Sequence, residues 1–358
     1  FLSMFFSFGV CFLSVKPIFH IGKVLNLVDK PDLRKKQSES KIRIGGLNIF
    51  FGFFFSIIVN IFTSSFLLKE NLFQLNFLLI GSIVIFVSGL MDDFFNLSPF
   101  VRLIFEFVVV SFLWLRGINI QAIDFSWLIG NSFVLELIPV LGLFITCFWI
   151  VGLLNAFNWI DGIDGLLTGV SIIFCIALGL LNFSRGNIGN LIIITSLLGS
   201  CIGFLFFNFK PAKIYMGDCG SNFLGFLISI ITFFSFTSVN NHEFINNGYM
   251  FSTKTNIFLA IIFLAYPILD MIGVIISRIK NNKSIFRPDR NHLHHRLLNV
   301  GLNEIEVLQV IYSLNFFIVS VVLFLSNLHN AIYLSLTSAI IFIYFLLKNF
   351  NKIKKIYQ

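Results

Sequence analysis

Four groups of polar side chains break an otherwise apolar chain: Asp92-Asp93; Asn155, Asn158, Asp161 and Asp164 at three-residue steps; Met216-Gly217-Asp218; and His292, His294 and His295 between Arg287 and Arg296. A charged side chain at the centre of a bilayer-spanning helix costs about 2.5 to 3.5 kcal/mol on insertion scales, so acids kept beside apolar runs mark working sites. Amide and carboxylate oxygens are what Mg²⁺ shares with substrate phosphates. Imidazoles and guanidiniums supply donors and positive charge to a pyrophosphate. The chemistry these types point to is that of phosphate esters.

Spacing refines the reading. Neighbours on a helix point about 100° apart, so Asp92 and Asp93 do different jobs. One can face a reacting phosphate while the other orients a cation or a base, and Arg102 stands just past the turn. The bland alternative is a solvated acidic helix end. A three-residue step drifts about 60° per repeat on a helix, so an unbroken helix would fan Asn155, Asn158, Asp161 and Asp164 over half its circumference. Gly162 and Gly165 offer a bend there, and non-helical backbone at membrane depth is tolerated where it lines a cavity. Asp218 opens an apolar run, where helix amides favour an anion. A carboxylate beside bound phosphate then calls for a divalent cation between them, the plain alternative being a helix cap. In the last group Pro288 and Asp289 start a short amphipathic helix and Gly301 stops it. Leu293, Leu297 and Val300 share one face, His292, His295 and Asn299 another. Zinc is disfavoured because no acidic or thiol partner sits at metal-ligand spacing.

What must position these groups is a membrane bundle. The 358 residues are 57% hydrophobic and 12% charged, with a mean hydropathy of +0.92, whereas soluble domains carry about 25% charged residues. Eleven apolar runs approach the ~20 residues needed to cross ~30 Å of hydrocarbon: about 1–22, 46–67, 72–91, 100–116, 137–156, 160–182, 188–208, 219–238, 256–277, 309–326 and 330–348. The first lacks a basic flank and a small-residue cleavage site, and reads as a span rather than a signal. Twenty of the 25 Lys and Arg fall on one set of alternating ends. By the positive-inside rule these are cytoplasmic, which puts the N-terminus outside, the C-terminus inside and all four polar groups at the cytoplasmic face. The net charge of +8 is therefore a topology and headgroup signal, and nucleic acid need not be invoked. The five cysteines lack metal spacing and are expected as free, buried thiols. Residues 118–125 alternate apolar and polar, a weak hairpin signal on the outer side. Asp270, an acid inside the ninth run, is a functional candidate or the partner of a neighbouring helix, and Glu106 in the fourth is expected to pair between helices.

With these residues assembled, the chain resembles the polyprenyl-phosphate N-acetylhexosamine-1-phosphate transferase family nearly from end to end. The motif Asn155-Ala-Phe-Asn-x-x-Asp-Gly-Ile-Asp-Gly-Leu166 is highly specific. Pro288-Asp289 followed by His292-x-His294-His295 looks more like the branch that begins O-antigen, common-antigen or teichoic-acid synthesis than the peptidoglycan branch. Asp29-Lys30-Pro31, Arg34-Lys35, Arg43 and Gly45-Gly46 match, while Gln37, Ile42 and Glu106 stand where the family often has His, Pro and Gln.

The resemblance implies a single polytopic all-α membrane domain over 1–358, with 278–308 as a cytoplasmic loop bearing the histidine helix, in a bacterial inner membrane. It implies transfer of a sugar 1-phosphate, N-acetylglucosamine first by analogy, from a UDP-N-acetylhexosamine to undecaprenyl phosphate, with Mg²⁺ (or Mn²⁺ in its place) and release of UMP. Asp92 and Asp93 would lie near the lipid phosphate, Asn158 and Asp218 on the metal, and Asp164 near the uracil. Asn155 and Asp161 would support that pocket, and His292, His294 and His295 would hold the pyrophosphate. Membrane lipids surround such an enzyme, and a homodimer is compatible with it. An ion-coupled transporter is the rival class, since it too shows intramembrane acids and broken helices. It would keep those acids near the bilayer midplane, usually in repeated halves.

Overall fold

The computed structural model describes residues 1–29, 41–63, 72–125, 133–238, 254–286, 289–326, 328, 330–349 and 352. Among them are thirteen helices. The first four are α1 (Leu2–Val24), α2 (Gly46–Thr63), α3 (Leu72–Phe95) and α4 (Pro99–Leu115); α5 (Pro139–Ile160), α6 (Leu166–Ser184), α7 (Ile188–Asn208) and α8 (Gly217–Ser235) follow. The rest are α9 (Ile257–Phe263), α10 (Ala265–Lys280), α11 (Leu293–Asn299), α12 (Glu304–Leu325) and α13 (Ala331–Lys348). Among the described residues nine helices are long and apolar enough to cross a membrane, and α9 with α10 makes a tenth, broken span. Helix α4, with 17 residues, accounts for the one remaining run, 100–116. The protein is an all-α, multi-pass membrane protein.

The ninth run departs from the sequence reading. Instead of one span over 256–277, α9 and α10 meet at 80°. Pro267 gives the reason: it has no N–H for the Phe263 carbonyl and its ring clashes there, so the helix breaks just upstream.

Helix α8 sits deepest, with 83% of its most apolar stretch buried. Its first turn touches α2 so closely that a Cβ on Gly46 would lie 2.4 Å from Gly220 Cα. That approach draws the ends of α2, α3, α5 and α8 into one place. A two-stranded strap lies beside it, β1 (Val28–Asp29) paired antiparallel with β2 (Lys41–Ile42), and Ile42 bridges in parallel to Ile214 just before α8.

At the opposite ends of α4, α5, α8 and α9 lies a four-stranded sheet in the order β4-β3-β6-β5. The expected hairpin is β3 (Ala122–Asp124) against β4 (Val134–Glu136), registered Ile123 to Leu135. The strand is shorter than the alternating stretch 118–125, because Ile118 and Ile120 are buried against the helices. Strands β5 (Thr237–Ser238) and β6 (Lys254–Thr255) carry no sequence signal at two residues each. All five cysteines are free and buried. In the first loop Lys30, Pro31, Arg34, Lys35 and Gln37 lie outside the described residues, as do Arg287 and Pro288 of the histidine loop.

Candidate active site

The two consecutive carboxylates at the end of α3 are both buried and point apart. Asp93 accepts the backbone N–H groups of Asp218 and Cys219, each at 2.9 Å. These belong to the first turn of α8, whose amides have no partner within the helix and carry its positive end. Asp93 therefore clamps α8 to α3. Asp92 instead accepts the Leu97 N–H at 2.7 Å and Arg102 Nη1 at 2.5 Å, holding the turn into α4. The same Arg102 nitrogen lies 3.9 Å from Asp218 Oδ2.

Asp218 is where the clusters meet. Asn158 Nδ2, from the end of α5, donates to Asp218 Oδ1 at 2.7 Å and to Ser221 Oγ at 3.0 Å. Arg43 Nη2, from the strap, donates to Asp218 Oδ2 at 2.9 Å, and its Nε lies 3.2 Å from Asp93 Oδ1. Gly217 makes room for this with φ +76°; a Cβ there would lie 2.0 Å from the Arg43 carbonyl oxygen and 2.8 Å from Asp93 Oδ2. A left-handed alanine costs about 1 to 2 kcal/mol and overpacking about 1 to 3 more. Gly217→Ala is thus expected to lower the melting temperature in detergent clearly, whereas Gly273→Ala, with nothing within 4 Å, stays near wild type.

The remaining motif residues fall into two groups. Asn155 Nδ2 donates to the buried Glu106 Oε2 at 2.7 Å, so this expected pocket residue ties α5 to α4. Helix α5 stops at Ile160, Asp161 caps it, and Gly165 turns the chain into α6 with φ +81°; the two glycines make the bend the spacing anticipates. Asp164 accepts the Ala212 N–H at 2.9 Å and lies 3.6 Å from both Lys41 Nζ and Lys210 Nζ.

Asp161 is partly buried. Burial first, then Asp218, Asp93 and Asp164, push its carboxyl up to about 7, with Arg43 pulling the other way. A group raised from its ordinary 3.8 stabilises the fold fully below that value and loses its contribution as pH rises towards 7. In EDTA, Asp161→Asn is therefore expected to match wild-type thermal stability at pH 4 and to exceed it above pH 7. Melting curves across that range check it.

The histidine helix begins later than the sequence suggests. Its first residue is Leu293 and His292 is the N-cap, not Pro288 or Asp289. Asp270, on α10, sets the start: its Oδ1 accepts the Leu293 N–H at 2.7 Å and its Oδ2 lies 2.7 Å from His292 Nδ1. An acceptor placed there satisfies the first free amide of the helix. Gly301 ends the segment with φ +97°, as anticipated. His294, outside the expected histidine face, is fully buried, and a Cβ on Gly162 would meet its Nε2 at 2.1 Å. Burial and the neighbouring His295 and His292 hold its ring well below the usual histidine value, so it is a neutral imidazole. His295 is lowered too, by burial and then by His292 and Arg290. Trp159, next to Asn158, packs edge-on to His292 with centroids 6.1 Å apart, and the Arg278 guanidinium lies 4.7 Å from the Trp159 ring centre. Arg278 also donates to Asp289 at 3.1 Å. The histidine loop is therefore docked on the Asn155–Gly165 motif.

Among the described residues no three His, Cys, Asp or Glu side chains form a protein-only metal cluster. Mg²⁺ is usually held by one or two carboxylates together with substrate phosphates. One carboxylate, one amide and a hydroxyl at Asp218, Asn158 and Ser221 are hard oxygen donors of the right kind, once the Asn158 amide turns its oxygen inward.

The profile described as glycosyl transferase family 4 matches residues 75–236, which carry all of the site except the strap, Asp270 and the histidine loop. A protein of Bacillus subtilis (strain 168), named probable undecaprenyl-phosphate N-acetylglucosaminyl 1-phosphate transferase, is 33% identical over 85% of this chain and 79% of its own length. The chain belongs to glycosyl transferase family 4. Two further relatives are similar along most of their length. The undecaprenyl-phosphate alpha-N-acetylglucosaminyl 1-phosphate transferase of Yersinia pestis is 28% identical, over 83% of this chain and 75% of its own. The decaprenyl-phosphate N-acetylglucosaminephosphotransferase of Mycobacterium tuberculosis (strain CDC 1551 / Oshkosh) is 27% identical, over 85% and 76%.

Several residues of this family 4 site escape the sequence reading as site members. Lys41 and Arg43 alternate with Ile42 and Ile44, both buried, a period-two signal that puts the two cations on one face. Arg278 lies in the last turn of α10, and Asp270, on the same helix, reads from the sequence as a functional candidate or helix partner without a place in the site. Lys210 and Ser221 carry no signal of their own.

Proposed function

We propose that this chain transfers N-acetylglucosamine 1-phosphate from UDP-N-acetylglucosamine to undecaprenyl phosphate with Mg²⁺, releasing UMP, at the cytoplasmic face of a bacterial plasma membrane. The names of the related proteins support the donor and acceptor, and the distribution of Lys and Arg supports the face. One observation carries the site: side chains from the strap, α3, α5 and α8 touch one another around Asp218. A carrier would instead place its acids midway along the bundle.

The mechanism follows from what each residue can do. Phosphoryl transfer asks chiefly for positioning and for neutralisation of charge. The bound divalent cation would neutralise the donor diphosphate and steady the departing UMP; Asp218, Asn158 and Ser221 would hold it. Arg102 and Arg43 border the same place and supply guanidinium donors for phosphate oxygens. The lipid phosphate, with a second pKa near ~6, is mostly dianionic at neutral pH and attacks without much help from a base. Both carboxylates of the α3 pair are already engaged by N–H donors of the protein itself. Asp93 therefore positions α8 and Asp92 positions Arg102. Neutral His294 and its neighbours border the far side of the motif, where the donor diphosphate and sugar would lie.

The test is purified protein in detergent with undecaprenyl phosphate and Mg²⁺, offered a panel of UDP-N-acetylhexosamines while UMP is followed. UMP release that needs the lipid and is fastest with UDP-N-acetylglucosamine supports the proposal. No lipid-dependent UMP from any donor overturns it.

A further inference from the structure

The strap 41–46 is built to deliver one side chain. Ile42 and Ile44 are buried at 2% and 1% exposure, anchoring the chain on either side of Arg43. Its backbone is tied to the segment before α8: Tyr215 N–H donates to Ile42 O at 2.8 Å, Gly45 N–H to Tyr215 O at 2.8 Å, and Gly46 N–H to Met216 O at 2.7 Å. The Arg43 guanidinium, a third exposed, reaches from this fixed base to both Asp93 and Asp218.

Both oxygens of Asp218 consequently face N–H donors, Asn158 on one side and Arg43 on the other. A carboxylate in that state cannot offer those lone pairs to a metal ion. We propose that Arg43 is a catalytic residue of this site: in the ligand-free protein its guanidinium takes the cation's place between Asp93 and Asp218, and on loading it moves to the donor diphosphate. The proposal rests on the transferase reading above. A guanidinium left beside an arriving divalent cation is repelled by it. A diphosphate is the natural alternative partner, since the planar fork matches phosphate oxygens as well as carboxylate oxygens. Arg43 thereby couples the two binding events, because releasing Asp218 becomes easier when a diphosphate is there to receive the guanidinium.

The experiment separates metal from nucleotide. Mn²⁺ serves as the probe, its free concentration read from the electron paramagnetic resonance signal of the aqueous ion, with nucleotide-free protein in detergent. Arg43→Gln removes the competing charge and is expected to bind Mn²⁺ about tenfold tighter than wild type. The same variant, saturated with Mg²⁺, is expected to bind UDP about tenfold more weakly by calorimetry, through loss of a charge-assisted bidentate contact. Arg43→Lys keeps the charge without the fork, and is expected to show wild-type Mn²⁺ affinity with weakened UDP binding. Unchanged or weaker Mn²⁺ binding by a folded Arg43→Gln protein overturns the proposal, as does unchanged UDP binding by both variants. If Arg43→Gln does not fold, Arg43→Lys with wild-type UDP affinity overturns it alone. Wild-type UMP release in the same preparation distinguishes the two levels: its absence sinks the transferase reading, whereas an active wild type with either adverse binding result sinks only the role of Arg43.

Discussion

Asp218→Asn is expected to lower turnover by about 10³-fold while leaving the protein folded, the upper end of what removal of one preorganised electrostatic group costs. Asp218 is touched from the strap, from α4 and from α5, through Arg43, Arg102 and Asn158. Its side chain remains 19% exposed, so losing one negative charge there leaves nothing deeply buried without a partner. An amide in its place cannot neutralise a divalent cation, and it presents half the oxygen ligands. Steady-state UMP release, with thermal melting to confirm folding, reads both halves of the expectation. A variant within tenfold of wild type would move the metal away from Asp218.

The second large effect is expected at Asp93, for a different reason. Asp93→Asn replaces an acceptor of two backbone N–H groups and a guanidinium with a group whose nitrogen must face one of those donors. Breaking a buried, hydrogen-bonded charge pair costs about 3 to 5 kcal/mol, and here it loosens the clamp between α3 and α8. The expected result is a lower melting temperature together with turnover reduced by about 10²-fold or more. Added formate or azide should give no rescue, because the lost function is attachment rather than proton transfer. If the variant melted like wild type and small bases restored its turnover, Asp93 would be the base. Label from the sugar phosphate trapped on the protein without lipid acceptor would make one of the α3 acids a nucleophile instead.

How much of this was legible in the sequence depended on the length scale of each signal. Spans of about twenty apolar residues outweigh any local preference, so the bundle and its helix order could be read directly. The bend at Gly162 and Gly165 was legible because three-residue polar spacing is incompatible with one continuous helix face. The break at Leu264 was not, although Pro267 was visible, because proline inside apolar runs is often accommodated by neighbouring helices. For the acids, chemistry was legible and direction was not. Asp92 and Asp93 had to do different jobs, but only the fold shows Asp93 turned onto α8 and Asp92 onto Arg102. The start of the histidine helix was misplaced because Asp270, more than twenty residues upstream, supplies the acceptor that sets it. Arg43 was visible as a matching residue in the first loop, yet its meeting with Asp218 spans 175 positions and leaves no local trace.

The deciding property of the reaction is which bond to the sugar phosphate is made and which is broken. UDP-N-acetylglucosamine carrying ³²P only in its β-phosphate, incubated with the protein, undecaprenyl phosphate and Mg²⁺, reports this directly. The label should appear in the lipid fraction while the released nucleotide is unlabelled UMP. Label left in UDP, with sugar moved to the lipid, would show transfer of the sugar alone and contradict the assignment of this site.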